Sequence, residues 1–176
     1  MYPFIRLALG QVRAWRQGPL PPDAVHVSRH TCLPWDLDMF MEMNNGRVLS
    51  FFDLGRFELA QRGGLIRALV KNRWTLAVAG STVRYRRRIL AFRRYEMRSA
   101  AIGRDNRFIY IQQSVWRDEQ CHASIVMRTA ALERGKAVDT DRIVTALGLP
   151  GWNPPLTEWI DAWRASEDLR IWPPEI

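Results

Sequence analysis

Two aspartates one residue apart, Asp36 and Asp38, are followed by two adjacent asparagines, Asn44 and Asn45, and these open a strongly apolar run that continues to Ala60. A carboxylate beside an apolar pocket is poorly solvated and therefore more basic, which suits it to take a proton from water. The first N–H groups of a helix lack intrahelical acceptors, and with the helix dipole they can stabilise an oxyanion. Asn44 or Asn45 fits the N-cap, which makes the amides of Asn45, Gly46 and Arg47 the donors. The same residues also fit a plainer role. A helix needs a cap whatever it does, and Asp36 and Asp38, following Pro34, can each accept backbone N–H bonds in a turn. A further carboxylate, Asp53, projects away from the Val48, Phe52, Gly55 and Leu59 stripe, where Arg56 at i+3 is a ready ion-pair partner.

The elements that must hold these groups follow from periodicity. Residues 45–62 predict a helix with Val48, Phe51, Phe52, Gly55 and Leu59 on one face and Leu49, Leu54, Phe57 and Ala60 off it, so that protein must cover most of its sides. Gly63 and Gly64 stop it, and a shorter helix is expected over 65–71. A strand precedes it over 25–33 and ends at Pro34. Four more strands follow without an intervening helix, at 74–86, 94–103, 107–116 and 121–132, and the turns at 103–106 and 117–120 make the last three a meander. A strand, a buried helix and a meander need a strongly curved sheet wrapped around one helix. The expectation is an α+β chain that looks like a hot-dog fold over 23–134, with appendages at 1–22 and 135–176.

In the first appendage Phe4, Ala8, Val12 and Trp15 share one helical face and Arg6, Arg13 and Gln17 the other. The first reading is a helix packed on the domain; the second is a helix lying on a membrane surface. Arg6 interrupts the apolar stretch and no small-residue cleavage site follows, which disfavours a secretory signal. "GPLPPDA", 18–24, is the linker. In the last appendage Asp139 or Thr140 caps one short helix, and Leu156, Trp159, Ile160 and Trp163 mark another, flanked by Trp152 and Trp172. This tail is expected to dock on the body or a partner subunit.

The 176 residues allow one substantial core, and 47% are hydrophobic. The net charge of +8 rests on 24 arginines and two lysines. Such a surface attracts phosphorylated cofactors, anionic lipid or nucleic acid, yet no aromatic-plus-basic signature of a nucleic-acid module is present. The clusters "RYRRR", 84–88, and Arg93-Arg94 suit phosphate contacts as well as a solvated hairpin. Two separated cysteines, Cys32 and Cys121, fit a reducing, cytoplasmic compartment. The three histidines lack metal-ligand spacing, and His26 and His30 are read as packed strand residues.

Residues 36–45, Asp-Leu-Asp-Met-Phe-Met-Glu-Met-Asn-Asn, resemble the D-x-D-x-x-G-H-V-N-N pattern of 4-hydroxybenzoyl-CoA thioesterase-like hot-dog proteins. Both aspartates and both asparagines match, while Met41 and Glu42 stand where the pattern has glycine and histidine. The similarity extends over roughly 25–133 and is strongest to the thioesterase-superfamily-member-6-like branch, through "DLD", "MNN", Arg47, Leu49, Asp53, Arg56 and the strand from Trp74. The resemblance implies hydrolysis of acyl-CoA or acyl-carrier-protein thioesters without metal, with coenzyme A present only as part of the substrate. Asp38 would be nucleophile or general base, beside the Asn44–Asn45 helix start. Asp53 matches the place of the helix carboxylate that some members use. Asp36, Glu42, Gly46 and Arg47 would line the substrate site, and Arg84, Arg86, Arg87 or Arg88 would meet the coenzyme's phosphates. An acid at 42 would repel anionic ligands or alter the local proton balance. Edge-to-edge pairing implies a homodimer, or a dimer of dimers, with clefts at the interface. Two competing readings are an acyl-thioester- or lipid-binding module that has lost its chemistry, and a basic protein held at membranes by its N-terminal helix.

Overall fold

The computed structural model describes residues 2–171 and 173–174; Trp172 lies outside them. The helix expected from the apolar run is α2 (Asn45–Arg62), preceded by α1 (Phe4–Gln17), β1 (His26–Thr31) and a 3₁₀ turn (Pro34–Asp36). After it come α3 (Leu65–Asn72), β2 (Thr75–Tyr85), β3 (Arg94–Arg104), β4 (Ile109–Arg117) and β5 (Gln120–Glu133). A two-residue strand β6 (Lys136–Ala137) and helices α4 (Thr140–Ala146) and α5 (Glu158–Asp168) complete the described chain.

The strands form one antiparallel sheet in the order β1-β3-β4-β5-β2, with β6 beside β5. The meander is present as anticipated. Asp118 and Glu119, both in the left-handed region (φ 49° and 60°), make the two-residue turn between β4 and β5, the geometry that matches strand twist. A similar pair, Arg134 and Gly135 (φ 51° and 80°), adds the short β6 that the sequence reading did not include.

The sheet curls around α2. Gly55 shows how closely: a Cβ there would overlap Met97 Sδ and stand 2.9 Å from Ser99 Oγ, both on β3. Phe51, Phe52, Leu54, Tyr95, Met97, Val115 and Ile125 form the main core between helix and sheet. Asn44 caps α2, its side chain accepting the Gly46 N–H at 2.9 Å. At the other end the left-handed glycine is Gly64 (φ 79°), whereas Gly63 keeps a negative φ. This is the hot-dog architecture.

The N-terminal helix packs on α2, but by the opposite face from the one its apolar residues predict. Gly10 and Ala14 are buried, while Phe4, Ile5, Leu9, Val12 and Trp15 are exposed. The body offers two buried acids, Asp36 and Glu58, and a buried carboxylate needs a cation more than a helix needs to hide a few apolar side chains. Arg6 therefore turns inward to Asp36 (2.7 Å), and Arg13, itself half exposed, lies 3.7 Å from Glu58 Oε1. Gly10 permits the close approach, since a Cβ there would stand 2.5 Å from Glu58 Oε1.

The C-terminal tail docks on the outer face of the sheet. Ile160 is buried against Tyr110 and Val126, with Leu156 and Trp163 packed alongside, and Arg128 of β5 pairs with Glu167 of α5 at 2.8 Å. Trp159 stays half exposed.

Candidate active site

Asp36 is almost wholly buried, at 4% exposure. Its Oδ2 accepts from the Leu33 amide (3.1 Å) and Arg6 (2.7 Å), and its Oδ1 accepts from Arg47 (3.3 Å). It thus ties α1, the 3₁₀ turn and the first turn of α2 together, and its oxygens are engaged within the chain. Arg47, anticipated near the substrate, takes part in the same node.

Residues 37–43 form a narrow loop closed by a bridge between Leu37 and Met43. The Asp38 amide donates to the Glu42 carbonyl (2.8 Å), and Asp38 Oδ1 accepts from the Phe40 amide (2.8 Å). Met41 adopts φ 59°. The glycine of the resembling pattern thus falls on a position whose backbone favours glycine, and here a methionine accepts that conformation. Met39, Phe40 and Met41 stand exposed at the loop tip.

Beside this loop an open cleft of about 260 Å³ is lined by Glu42, Met43, Asn45, Val48, Tyr85, Ile89 and the arginines Arg86, Arg87 and Arg88. The helix start, the acid at 42 and three of the four anticipated arginines therefore converge. Arg88 donates to Glu42 (2.7 Å) and to the Phe40 carbonyl (2.5 Å), so it braces the loop. Arg84, Asp38, Asn44 and Gly46 are not among the lining residues. Arg84 lies on β2 next to Val83, which packs on the core, and alternation sends Arg84 to the other face. The cleft is mixed in character, with an apolar floor of Met43, Val48 and Ile89 and a cationic rim, suited to a ligand that is apolar at one end and anionic at the other.

Asp53 stands two turns along α2 from Asn45. It pairs with Arg56, as its i+3 spacing allowed, and accepts the Tyr2 hydroxyl at 3.0 Å. Burial, with the Asp53 carboxylate next, pushes the Tyr2 hydroxyl up to about 12 and keeps it a donor. A polar chain missed by the sequence reading runs behind the helix. His26 faces Glu58 (3.3 Å) through Nε2 and Arg62 (3.1 Å) through Nδ1, and both His26 and Glu58 are buried. The available signal was Glu58, an acid flanked by Phe57 and Leu59 within the apolar run. His30, equally buried, bonds Ser28 Oγ at 2.7 Å. The Cys32 thiol is held up at about 11, chiefly by burial and then by Asp36, which keeps it protonated and unreactive.

The comparisons with known proteins agree with this architecture. The family profile described as "Thioesterase-like superfamily" matches residues 32–163. Protein THEM6 of Xenopus laevis is 35% identical over 112 residues, covering 62% of this chain and 54% of that protein. The chain spans about half, or less, of the length of the curated relatives it matches. Among solved structures, the probable thioesterase YbaW of Escherichia coli superposes with a TM-score of 0.64 at 16% identity, covering 69% of this chain and 95% of that one. A DHNA-CoA thioesterase from Staphylococcus aureus gives 0.62 at 11% identity, covering 82% and 92%. At these identities the structures speak for the fold. The profile match extends over most of the chain, and the chain belongs to the thioesterase-like superfamily, with the hot-dog fold.

Proposed function

We propose that this protein hydrolyses acyl thioesters of coenzyme A or of an acyl-carrier protein at the start of α2. The observation that carries the reading is the convergence of the helix start with Arg86, Arg87 and Arg88 on one cleft with an apolar floor. Asp38, as general base, would take a proton from water while the water oxygen attacks the thioester carbonyl carbon. The Asn44 side chain consumes the Gly46 amide as a cap, which leaves the Asn45 amide, on the cleft wall, as donor to the tetrahedral oxyanion. Collapse expels the thiolate. The guanidinium groups of residues 86–88 would hold phosphate. Asp38 does not line the cleft of a single chain, and pairing of two chains along the free edge of β2 would complete the site. Family membership supports the reaction class, and coenzyme A is the thiol named for the S. aureus DHNA-CoA thioesterase.

The test is thiol release from a panel of acyl-CoAs by wild type and Asp38→Asn. The proposal expects turnover that falls at least about a hundredfold in the variant; full activity in the variant would refute it. A second reading, a binding module without turnover, is favoured by the Glu42–Arg88 pair, which occupies one arginine of the rim. Tight binding of a CoA ester with no thiol release selects it. The outward face of α1, with Phe4, Ile5, Leu9 and Trp15 exposed, supports contact with a membrane surface as an accompanying property.

A further inference from the structure

At the opposite end of α2 from the cleft lies a cavity of about 80 Å³. Leu59 and Ala60 of α2 and Ile109 of β4 form its inner wall, and Pro21, Leu147 and Trp152 close it from outside. The closing residues belong to the two appendages, and they are fastened. The Leu20 amide donates to the Arg62 carbonyl (3.0 Å), and Trp152 Nε1 donates to Asp23 Oδ1 (2.9 Å), joining tail to linker. Arg104 holds the Trp152 carbonyl at 2.7 Å.

Among the described residues Arg56 is the one charged group in the lining; its guanidinium is bound to Asp53 and lies against the Met127 sulfur. Its charge is thereby compensated, and the other walls are apolar side chains and glycine. A cavity without polar partners does not retain ordered water and accepts apolar guests. Leu49, Asp53, Arg56 and Ala60 succeed one another along one face of α2, from beside the cleft to this cavity. From Asn45 to Ala60 the helix rises about 22 Å, the reach of a long extended acyl chain.

We infer that this cavity receives the far end of an unbranched aliphatic chain, the acyl tail of the thioester, and that residues 20–23 and 147–152 set the chain length admitted. The inference rests on the thioesterase reading for the identity of the guest, but binding is measurable without turnover. The experiment is calorimetric titration of the full chain with octanoate, dodecanoate and hexadecanoate, below their micellar concentrations. Affinity should rise about fourfold per methylene buried, up to a limiting length. Ala60→Phe fills the cavity and should weaken hexadecanoate at least about tenfold, with octanoate unchanged. Leu149→Trp fills it from the closing side and is read the same way should the helix variant not fold. Equal hexadecanoate affinity in a folded cavity-filling variant, or no binding of any of the three acids, overturns the inference. Binding with this length dependence, but no hydrolysis of the corresponding CoA esters, overturns the thioesterase reading and leaves the cavity assignment standing.

Discussion

Asp36→Asn tests the node that holds the loop, α1 and the helix start together. An asparagine can keep its carbonyl oxygen where Oδ2 stands and so retain the Leu33 amide and Arg6, but it then turns an amide NH₂ toward Arg47, donor against donor. Hydrogen bonds to charged groups contribute about 1.5–3 kcal/mol each when intact. Arg6 and Arg47 are about one-fifth exposed (20% and 21%), so water recovers part of that, and the 3.3 Å bond to Arg47 is the weaker. The net expectation is a loss of about 2–3 kcal/mol, or a Tm lower by roughly 4–10 °C for a chain of this size. Urea unfolding at neutral pH measures it, with an unchanged slope showing that the variant unfolds as the same unit. A cycle of Asp36→Ala with Arg6→Ala, in which either change removes the shared bond, should give a coupling of at least about 1 kcal/mol. A loss below about 0.5 kcal/mol, or strict additivity, would refute the claim that this buried acid anchors the site.

Gly55→Ala should destabilise by about 1–2 kcal/mol in chemical denaturation: the added Cβ meets Met97 and Ser99, which are 0% and 1% exposed, and this overlap outweighs the roughly 1 kcal/mol gain in helix propensity. Neutral stability would mean that α2 does not sit this close to β3. Burial, helped by Arg13 and Arg6, lowers His30 from 6.5 to about 3. The unfolded chain therefore takes its proton first, and stability that is complete above about pH 6.5 declines by up to about 1.4 kcal/mol per pH unit as pH falls toward 3. His30→Gln should flatten that acid limb, and an identical slope in the variant would contradict the assignment. Ile5→Glu with Trp15→Glu should reduce sedimentation with phosphatidylglycerol-containing vesicles at least about tenfold without lowering Tm; unaltered binding would remove the membrane role from α1.

Much of the fold was legible because it is written in local periodicity. The central helix begins and ends where its apolar run and flanking residues indicate, Asn44 caps it, and the two turns of the meander lie at the polar stretches Gly-Arg-Asp-Asn, 103–106, and Arg-Asp-Glu-Gln, 117–120. The orientation of α1 was not legible. Its apolar stripe predicts the buried face correctly only if the body offers an apolar surface, and the body instead presents Asp36 and Glu58. The Asp36 node joins residues 30 and 11 positions apart, and the His26–Glu58 contact spans 32. Pairings of that kind leave no spacing signature. Among the arginines the cluster was legible but not the end of β2: Arg84 lies within the strand and faces away from the core, whereas Arg86, Arg87 and Arg88 follow its last residue, Tyr85, and line the cleft. The glycine missing from the motif illustrates the converse: its place is a left-handed backbone position that Met41 fills.

The most direct measurement is a structure of the protein bound to a non-hydrolysable acyl-CoA analogue. The expected result has the carbonyl oxygen at the amide of Asn45, the carboxylate of Asp38 facing the carbonyl carbon, and phosphate among Arg86, Arg87 and Arg88. An analogue seated away from the start of α2, or bound there with Asp38 turned to solvent, would contradict it.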